Sequence, residues 1–375
     1  MISRSKLLAR TAVVAASVLV LAACGNGAEE EPTDEAPAAQ EEAEAAPTED
    51  DDEAPEVDAT EGETIVLRVG HQNAANEPME LGAVRAGELL EEWTDGRITV
   101  ETFPAAQLGS ENELIEQNQS GAIEMSLPSP SALSSFYANT AVFAIPYSLD
   151  GDSEEEQYQT LLAVNDSEVV EQINEEMAQT AGIRALDWSW WYGNRHVTNS
   201  VREVNVPEDL EGLQIRTPDA PIHFLPLESF GAAVTPLAFG ELYLALQTGT
   251  VDGQENPVNV IVAQAFHEVQ DHVSLTGHLT QAQVPIINED LWQSFTDEDR
   301  ELIQRAFREG GEYQSQLALE ANADGVQTLE DEGMQVTIPD LAPFREATAN
   351  AAQEWADGNA DFDLSVFEAF RAAQS

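Results

Sequence analysis

Cysteine and lysine are all but missing from this 375-residue chain, whose sole cysteine is Cys24 and whose sole lysine is Lys6. With no cysteine beyond position 24, the folded body has no disulfide and no thiol nucleophile, and its core alone must hold it. Positive charge is scarce throughout, with 15 basic residues against 70 acidic ones and a formal net charge of −55. Such a chain repels phosphates, which excludes a general binder of nucleic acid. The common signatures of catalysis are missing as well. There is no Gly-x-Ser-x-Gly elbow, no glycine-rich phosphate loop and no His-Glu-x-x-His pair. His267, His272 and His278 lie five and six residues apart, a spacing that does not stack them on one helix face. They read as incidental surface histidines, and neither a metal nor a cofactor is expected.

The one long apolar run is at the start. Arg4, Lys6 and Arg10 precede a stretch from Thr11 to Ala23 that is almost wholly apolar or small, and Leu21-Ala22-Ala23-Cys24 ends it. The stretch is short for a membrane span of ~20 residues. Residues 1–24 are read as a lipoprotein-type signal in which Cys24 is lipid-modified and becomes the new N-terminus. Residues 25–63 hold 17 acidic residues and no aromatic one. They cannot bury enough apolar surface to offset the entropy of ordering, and their mutual repulsion keeps them extended as a tether.

The body, residues 64–375, keeps 53 acidic and 12 basic residues, all twelve of them arginine. The acid is spread evenly, as expected of a solvated surface suited to high salt. Its length exceeds one ordinary core, so two lobes are expected. Strand and helix patterns alternate, which predicts an α/β architecture with largely parallel sheets. Ser110 and Glu113 form a capping box that opens a helix, and Ser153 with Glu156 opens a long one to about Thr180. Gly182–Tyr192 reads as a strand with four aromatics, Ala122–Leu127 as another, and a helix of some thirty residues starts near Thr296.

The most informative stretch is Ala232 to Pro257. Phe239, Leu242, Tyr243 and Leu246 make one apolar stripe at helical period, and Gly249 is placed to stop that helix in the left-handed conformation. Val251-Asp252-Gly253 then predicts a tight turn that presents Gln254, Glu255 and Asn256 on a bend. Asn256-Pro257 reads equally as a helix cap before Val258. Two arginines stand out from the acid. Arg216 ends the strand Leu213–Thr217, where open α/β sheets bind ligands, and Arg195 follows the aromatic strand. A guanidinium in either place can grip a carboxylate through two parallel hydrogen bonds, or pair with a local acid such as Glu211 or Asp219.

Several segments together resemble the solute-binding proteins of tripartite ATP-independent periplasmic (TRAP) transporters. They are Phe103–Gly109, Val142–Tyr147, Leu210–Arg216, Thr235–Phe239 with Glu241–Tyr243, and the run Ala245–Pro257, in the family's order from about Ile65 onward. The resemblance implies a two-lobed periplasmic-binding-protein-like fold of the class II type, with a hinge and a long C-terminal helix. Lobe I would take about 64–193 and 282–321, and lobe II about 194–281 and 322–375. By position, Arg216 resembles the arginine that salt-bridges the ligand carboxylate in this family. Arg195 resembles its supporting partner, Asn256 the asparagine on the same carboxylate, and Phe239 the aromatic packed on the ligand. Gln72 and Glu111 fall where sialic-acid binders place polar contacts. Ser129 stands where those binders carry a glutamate, which argues against sialic acid.

The function implied is capture of a small organic acid, such as a C4-dicarboxylate, in a cleft between the lobes. A small and a large membrane subunit driven by an ion gradient would then receive it. The protein would sit outside the cytoplasm, touching the membrane only through its lipid. Two other classes remain open at this level. One is a lipid-anchored enzyme acting on an acidic metabolite with Glu111 or Glu255 as base, and the other a binding protein serving an ATP-driven importer. Trp191 and Tyr192 are candidates for the pocket wall, and Trp188 and Trp190 for the core.

Overall fold

The computed structural model describes residues 64–374. The expected signal segment, Cys24 and the acidic tether lie outside the described residues. Two sheets organise the body. The first has the order β2-β1-β3-β10-β4, built from β1 (Ile65–Gly70), β2 (Ile98–Phe103), β3 (Met125–Ser126), β4 (Ile183–Ala185) and β10 (Ile286–Asn288). The second has the order β11-β9-β5-β8-β6-β7. Its strands are β5 (Trp190–Asn199), β6 (Gln214–Thr217), β7 (Ala233–Pro236), β8 (Gly253–Asn256), β9 (His272–Gln283) and β11 (Gln335–Thr337). The chain passes between the sheets three times, at residues 186–189, at 284–285 and between β10 and β11, and the first two crossings run side by side, Leu186 N donating to Pro285 O at 2.8 Å.

Several expectations are corrected. Both sheets are mixed rather than largely parallel, because β10 runs antiparallel to β3 and β4, and β5 runs antiparallel to β8 and β9. The single strand expected over 182–192 is two strands in different sheets. Between them Asp187 Oδ1 accepts from the amide and the hydroxyl of Ser189, a local turn that competes with a ladder. The helix expected to run from Ser153 to Thr180 is broken into Glu154–Asn165 and Glu168–Ala181. Ser167 is extended there at the N-cap position, without a side-chain capping bond, and the new helix begins with an acidic first turn. Ladder pairing in the expected strand 122–127 is confined to β3. The Gln254-Glu255-Asn256 triplet does not sit on a bend: it forms β8, an interior strand buried along its length. Nor is Asn256 a helix cap, since Pro257 takes that position before the helix Val258–Ala263.

Other local readings agree with the structure. The capping box of Ser110 and Glu113 opens the helix Glu111–Gln119, and Gly249 ends the helix Leu242–Thr248 at φ 67°. Thr296 accepts from Asp299 N and opens the helix Asp297–Asp331, whose 35 residues extend about 50 Å. That helix braces the body. Its Gly310 lies so close to the helix Pro78–Trp93 that an added Cβ would stand 2.6 Å from Gly82 O. Trp190 packs on Phe307 with ring centroids 6.2 Å apart and donates its Nε1–H to Phe307 O at 3.0 Å.

The aromatic strand divides between core and cavity. Trp188 stacks on Phe143 at 4.7 Å, and Phe370 of the helix Leu364–Ala372 meets Phe143 edge-on at 4.9 Å. The last helices therefore pack on residues far upstream in the chain, while β11 joins the second sheet. Gly193, at φ +131°, allows Asn322 and Pro257 to approach β5 just before Arg195, where a Cβ would stand 2.5 Å from Asn322 Nδ2. Because Gly310 faces backbone rather than a yielding side chain, Gly310→Ala should destabilise the protein by about 1–3 kcal/mol through overpacking. Urea unfolding measures this, and an unchanged midpoint would contradict the close helix contact.

Candidate functional site

The C-terminal end of β6 places Arg216 in the wall of a cavity of about 350 Å³. The register Arg216↔Gln254 between the parallel strands β6 and β8 sets Arg216 and Asn256 on one face of the second sheet. Nε and Nη2 of Arg216 both donate to Leu237 O, at 2.9 and 2.6 Å, and the guanidinium lies 5.9 Å from the Phe239 ring centroid. Neither Glu211 nor Asp219 pairs with it, and among the described residues no carboxylate stands within ion-pair distance. Its Nη1 is buried and has no hydrogen-bond partner. Burial pulls its pKa down to about 10, against the attraction of Glu255 and Glu111, so the group remains a cation at neutral pH.

Arg195 is committed differently. Its Nε and Nη2 grip both carboxylate oxygens of Glu255, Nη2 also donates to Glu255 O at 2.6 Å, and Nη1 donates to Gln281 Oε1 at 2.6 Å. β5 is an interior strand buried along nearly its whole length, so Arg195 and His196, neighbours in sequence, are both buried. Glu255 is met from two further sides, by His223 Nδ1 at 3.4 Å and His278 Nε2 at 3.6 Å. Burial alone would raise the Glu255 pKa, but Arg195 and His223 outweigh it and hold the carboxyl well below its usual range. Asn256 Nδ2 donates to Gln254 Oε1, and Gln254 donates in turn to Thr198 Oγ1 at 3.0 Å.

The facing wall comes from the ends of β1 and β3. Gln72 follows β1 and donates to Gly109 O at 3.0 Å. Glu111 opens the helix Glu111–Gln119, and its Oε1 accepts from Ser129 N at 2.6 Å. Burial raises the Glu111 pKa, opposed by Ser129 and by the two guanidiniums. Ser129 caps the short helix Pro130–Leu133, its Oγ accepting from Ala132 N at 3.2 Å. All seven residues singled out in the sequence, Arg216, Arg195, Asn256, Phe239, Gln72, Glu111 and Ser129, line this one cavity.

Tyr192 lines it too, whereas Trp191 lies in the core, edge-on to Tyr158 with its Nε1–H directed to Glu154. His278 is corrected: it is 1% exposed and belongs to the Glu255 cluster. Sequence reasoning also passed over His223, Asn73, Gln281 and Gln283. The last two alternate at the end of β9 with the period of a strand face, a signal that could have found them. His223, inside the apolar run Ile222–Leu225, carried none.

Comparison with known proteins follows from this geometry. The model of a family described as bacterial extracellular solute-binding protein, family 7, matches residues 69–358. The chain is 33% identical over 281 residues to the sialic acid-binding periplasmic protein of Vibrio cholerae, covering 75% of this chain and 85% of that one. A TRAP periplasmic solute-binding protein from Polaromonas, solved with D-erythronate, superposes with a TM-score of 0.75 at 31% identity over 82% of this chain and 98% of its own. Another from Roseobacter denitrificans, solved with L-galactonate, gives 0.74 at 30% identity over 84% and 99%.

The buried histidines make stability depend on pH. Burial, with His278 adding, pulls the His196 pKa from 6.5 to about 3, and burial lowers that of His223 as well. Between those two values the unfolded chain binds a proton at His196 that the fold excludes. Stability is therefore intact above pH 6.5 and declines as pH falls through the window, by up to ~1.4 kcal/mol per pH unit for one such group. The contribution of Glu255 has the depressed-acid sign: it is fully present above pH 4.5 and is lost only as pH drops further. Urea unfolding at pH 7 and pH 5 should show the fall, and His196→Asn should flatten it. An equal slope in the variant would contradict the assignment.

Proposed function

The chain belongs to family 7 of the bacterial extracellular solute-binding proteins, and from that premise we propose that it captures a small organic acid by its carboxylate. The observation that carries the proposal is the buried Nη1 of Arg216, a cationic donor without a partner at the wall of a cavity. Leaving such a donor unmet costs the protein, and a carboxylate is the guest that meets both its charge and its geometry. In this reading Arg216 clamps the acid, Asn256 hydrogen-bonds the same carboxylate, and Phe239 packs against the carbon chain. Arg195, fixed by Glu255, supports the clamp with its field and shape. Gln72, Glu111 and Ser129 meet the other end of the ligand. The relatives bind acids by their own descriptions, namely sialic acid, D-erythronate and L-galactonate.

Hinge closure of lobe I (64–193 and 282–321) on lobe II (194–281 and 322–375) would bury the acid, and the paired crossings at residues 186–189 and 284–285 support a hinge there. The closed protein would deliver its cargo to a small and a large membrane subunit. Catalysis gains no support from Glu255, because a carboxyl kept ionised in a bidentate ion pair is a poor base. No helix among the described residues is long and apolar enough to cross a membrane. Attachment to the outer face of the membrane is proposed to run through a lipid on Cys24.

Arg216→Ala should lose about 2–5 kcal/mol of affinity for the bound acid by isothermal calorimetry while the unfolding midpoint holds. An unchanged dissociation constant would refute the clamp. Cys24→Ser should release the protein from the membrane fraction into the soluble one. Retention of the variant on membranes would refute the anchor.

A further inference from the structure

We infer that His223 is a positioning residue that latches the two lobes over the guest, joining Ser131 of lobe I to the Arg195–Glu255 pair of lobe II; this rests on the acid capture and hinge closure proposed above. The chain itself makes the reach. Beyond Arg216 and the end of β6, the segment 218–223 ends in the short turn Pro221–His223 and meets lobe I at three points. Asn112 Nδ2 donates to Asp219 O at 3.1 Å. Ile222 is fully buried in the core cluster that holds Ala132, Leu133 and Val142. His223 is buried beside them and puts its Nε2 2.8 Å from Ser131 Oγ.

The bonding at His223 fits one state of the ring. Its Nδ1 faces Glu255 Oε1 at 3.4 Å, and an ionised carboxylate only accepts, so the ring proton belongs on Nδ1. Burial lowers the pKa of the ring against the attraction of Glu255 and leaves it neutral at pH 7. Nε2 is therefore an acceptor, and the hydroxyl of Ser131 is the donor that meets it. Ser129 Oγ lies 3.1 Å beyond Ser131 Oγ. A continuous path thus runs from Arg195 through Glu255, His223 and Ser131 to Ser129, from one wall of the cavity to the other. The His223 ring itself stands outside the cavity lining. A bond made only when the lobes close adds its free energy to closure, and a guest that needs the closed form binds more tightly by that amount.

Calorimetry and stopped-flow kinetics with sialic acid, D-erythronate, L-galactonate and succinate as probes test this. Ser131→Ala should weaken whichever of these acids binds by about threefold to tenfold, through faster dissociation, while the unfolding midpoint without acid holds. His223→Asn keeps a donor beside Glu255 but cannot reach Ser131, and should lose a similar factor. The double variant should lose no more than either single one, because both remove the same bond. Should His223→Asn not fold, Ser131→Ala decides. A dissociation constant unmoved by Ser131→Ala, losses that multiply in the double variant, or a midpoint that falls without acid would each overturn the latch and leave acid capture standing. Small-angle scattering of the unaltered protein should show a smaller radius of gyration once the acid is added. An unchanged radius would overturn hinge closure and this inference with it, and failure of every acid to bind would overturn acid capture and this inference together.

Discussion

A guanidinium held in the interior without a carboxylate of its own is the constraint on which the site depends. Burying a cation is costly unless something answers its charge, and here a single backbone carbonyl, Leu237 O, takes two of its donors while Nη1 is left over. The surplus is notable in a chain with 70 acidic residues, where a free carboxylate partner would be easy to supply. The strand that carries Arg216, the loop that brings Leu237 beside it and the ring of Phe239 together hold the group in place. A donor held in place in this way needs no reordering to meet a partner.

Arg195 shows the opposite arrangement. Its charge is answered within the protein by Glu255, and Glu255 is in turn surrounded by His223 and His278. The pair fixes a guanidinium edge in the cavity wall without adding an uncommitted charge. Two arginines on one sheet are thus committed differently: Arg195 is paired within the protein, and Arg216 is not. The extreme surface charge makes the division more important, since a field of −41 over the body works against an approaching anion except where salt screens it.

Much of this was legible in the sequence, and the parts that were not share a cause. The α/β alternation, the capping at Ser110 and Thr296 and the helix stop at Gly249 follow from local chemistry, and local chemistry is what a sequence displays. Of the seven cavity residues, Arg216, Arg195 and Asn256 stood out from the local pattern, whereas Phe239, Gln72, Glu111 and Ser129 came from the family resemblance alone. The mixed sheets, the burial of β8 and the split of the aromatic strand across two sheets depend on pairing between distant segments, which periodicity cannot register. His278 was misread for the same reason: nothing near it in sequence foretells that Glu255 and Phe230 will enclose it. The break at Asp166–Ser167 is the exception, since the signal there is local, two turn-forming residues inside an otherwise helical pattern.

The account comes down to which atom meets the ligand. A crystal structure of the protein with its bound acid tests that directly. It should show the ligand carboxylate on Nη1 of Arg216, with Asn256 beside it and the Arg195–Glu255 pair intact. A structure in which that guanidinium turns to one of the protein's own acids, while the solute sits elsewhere, would contradict it.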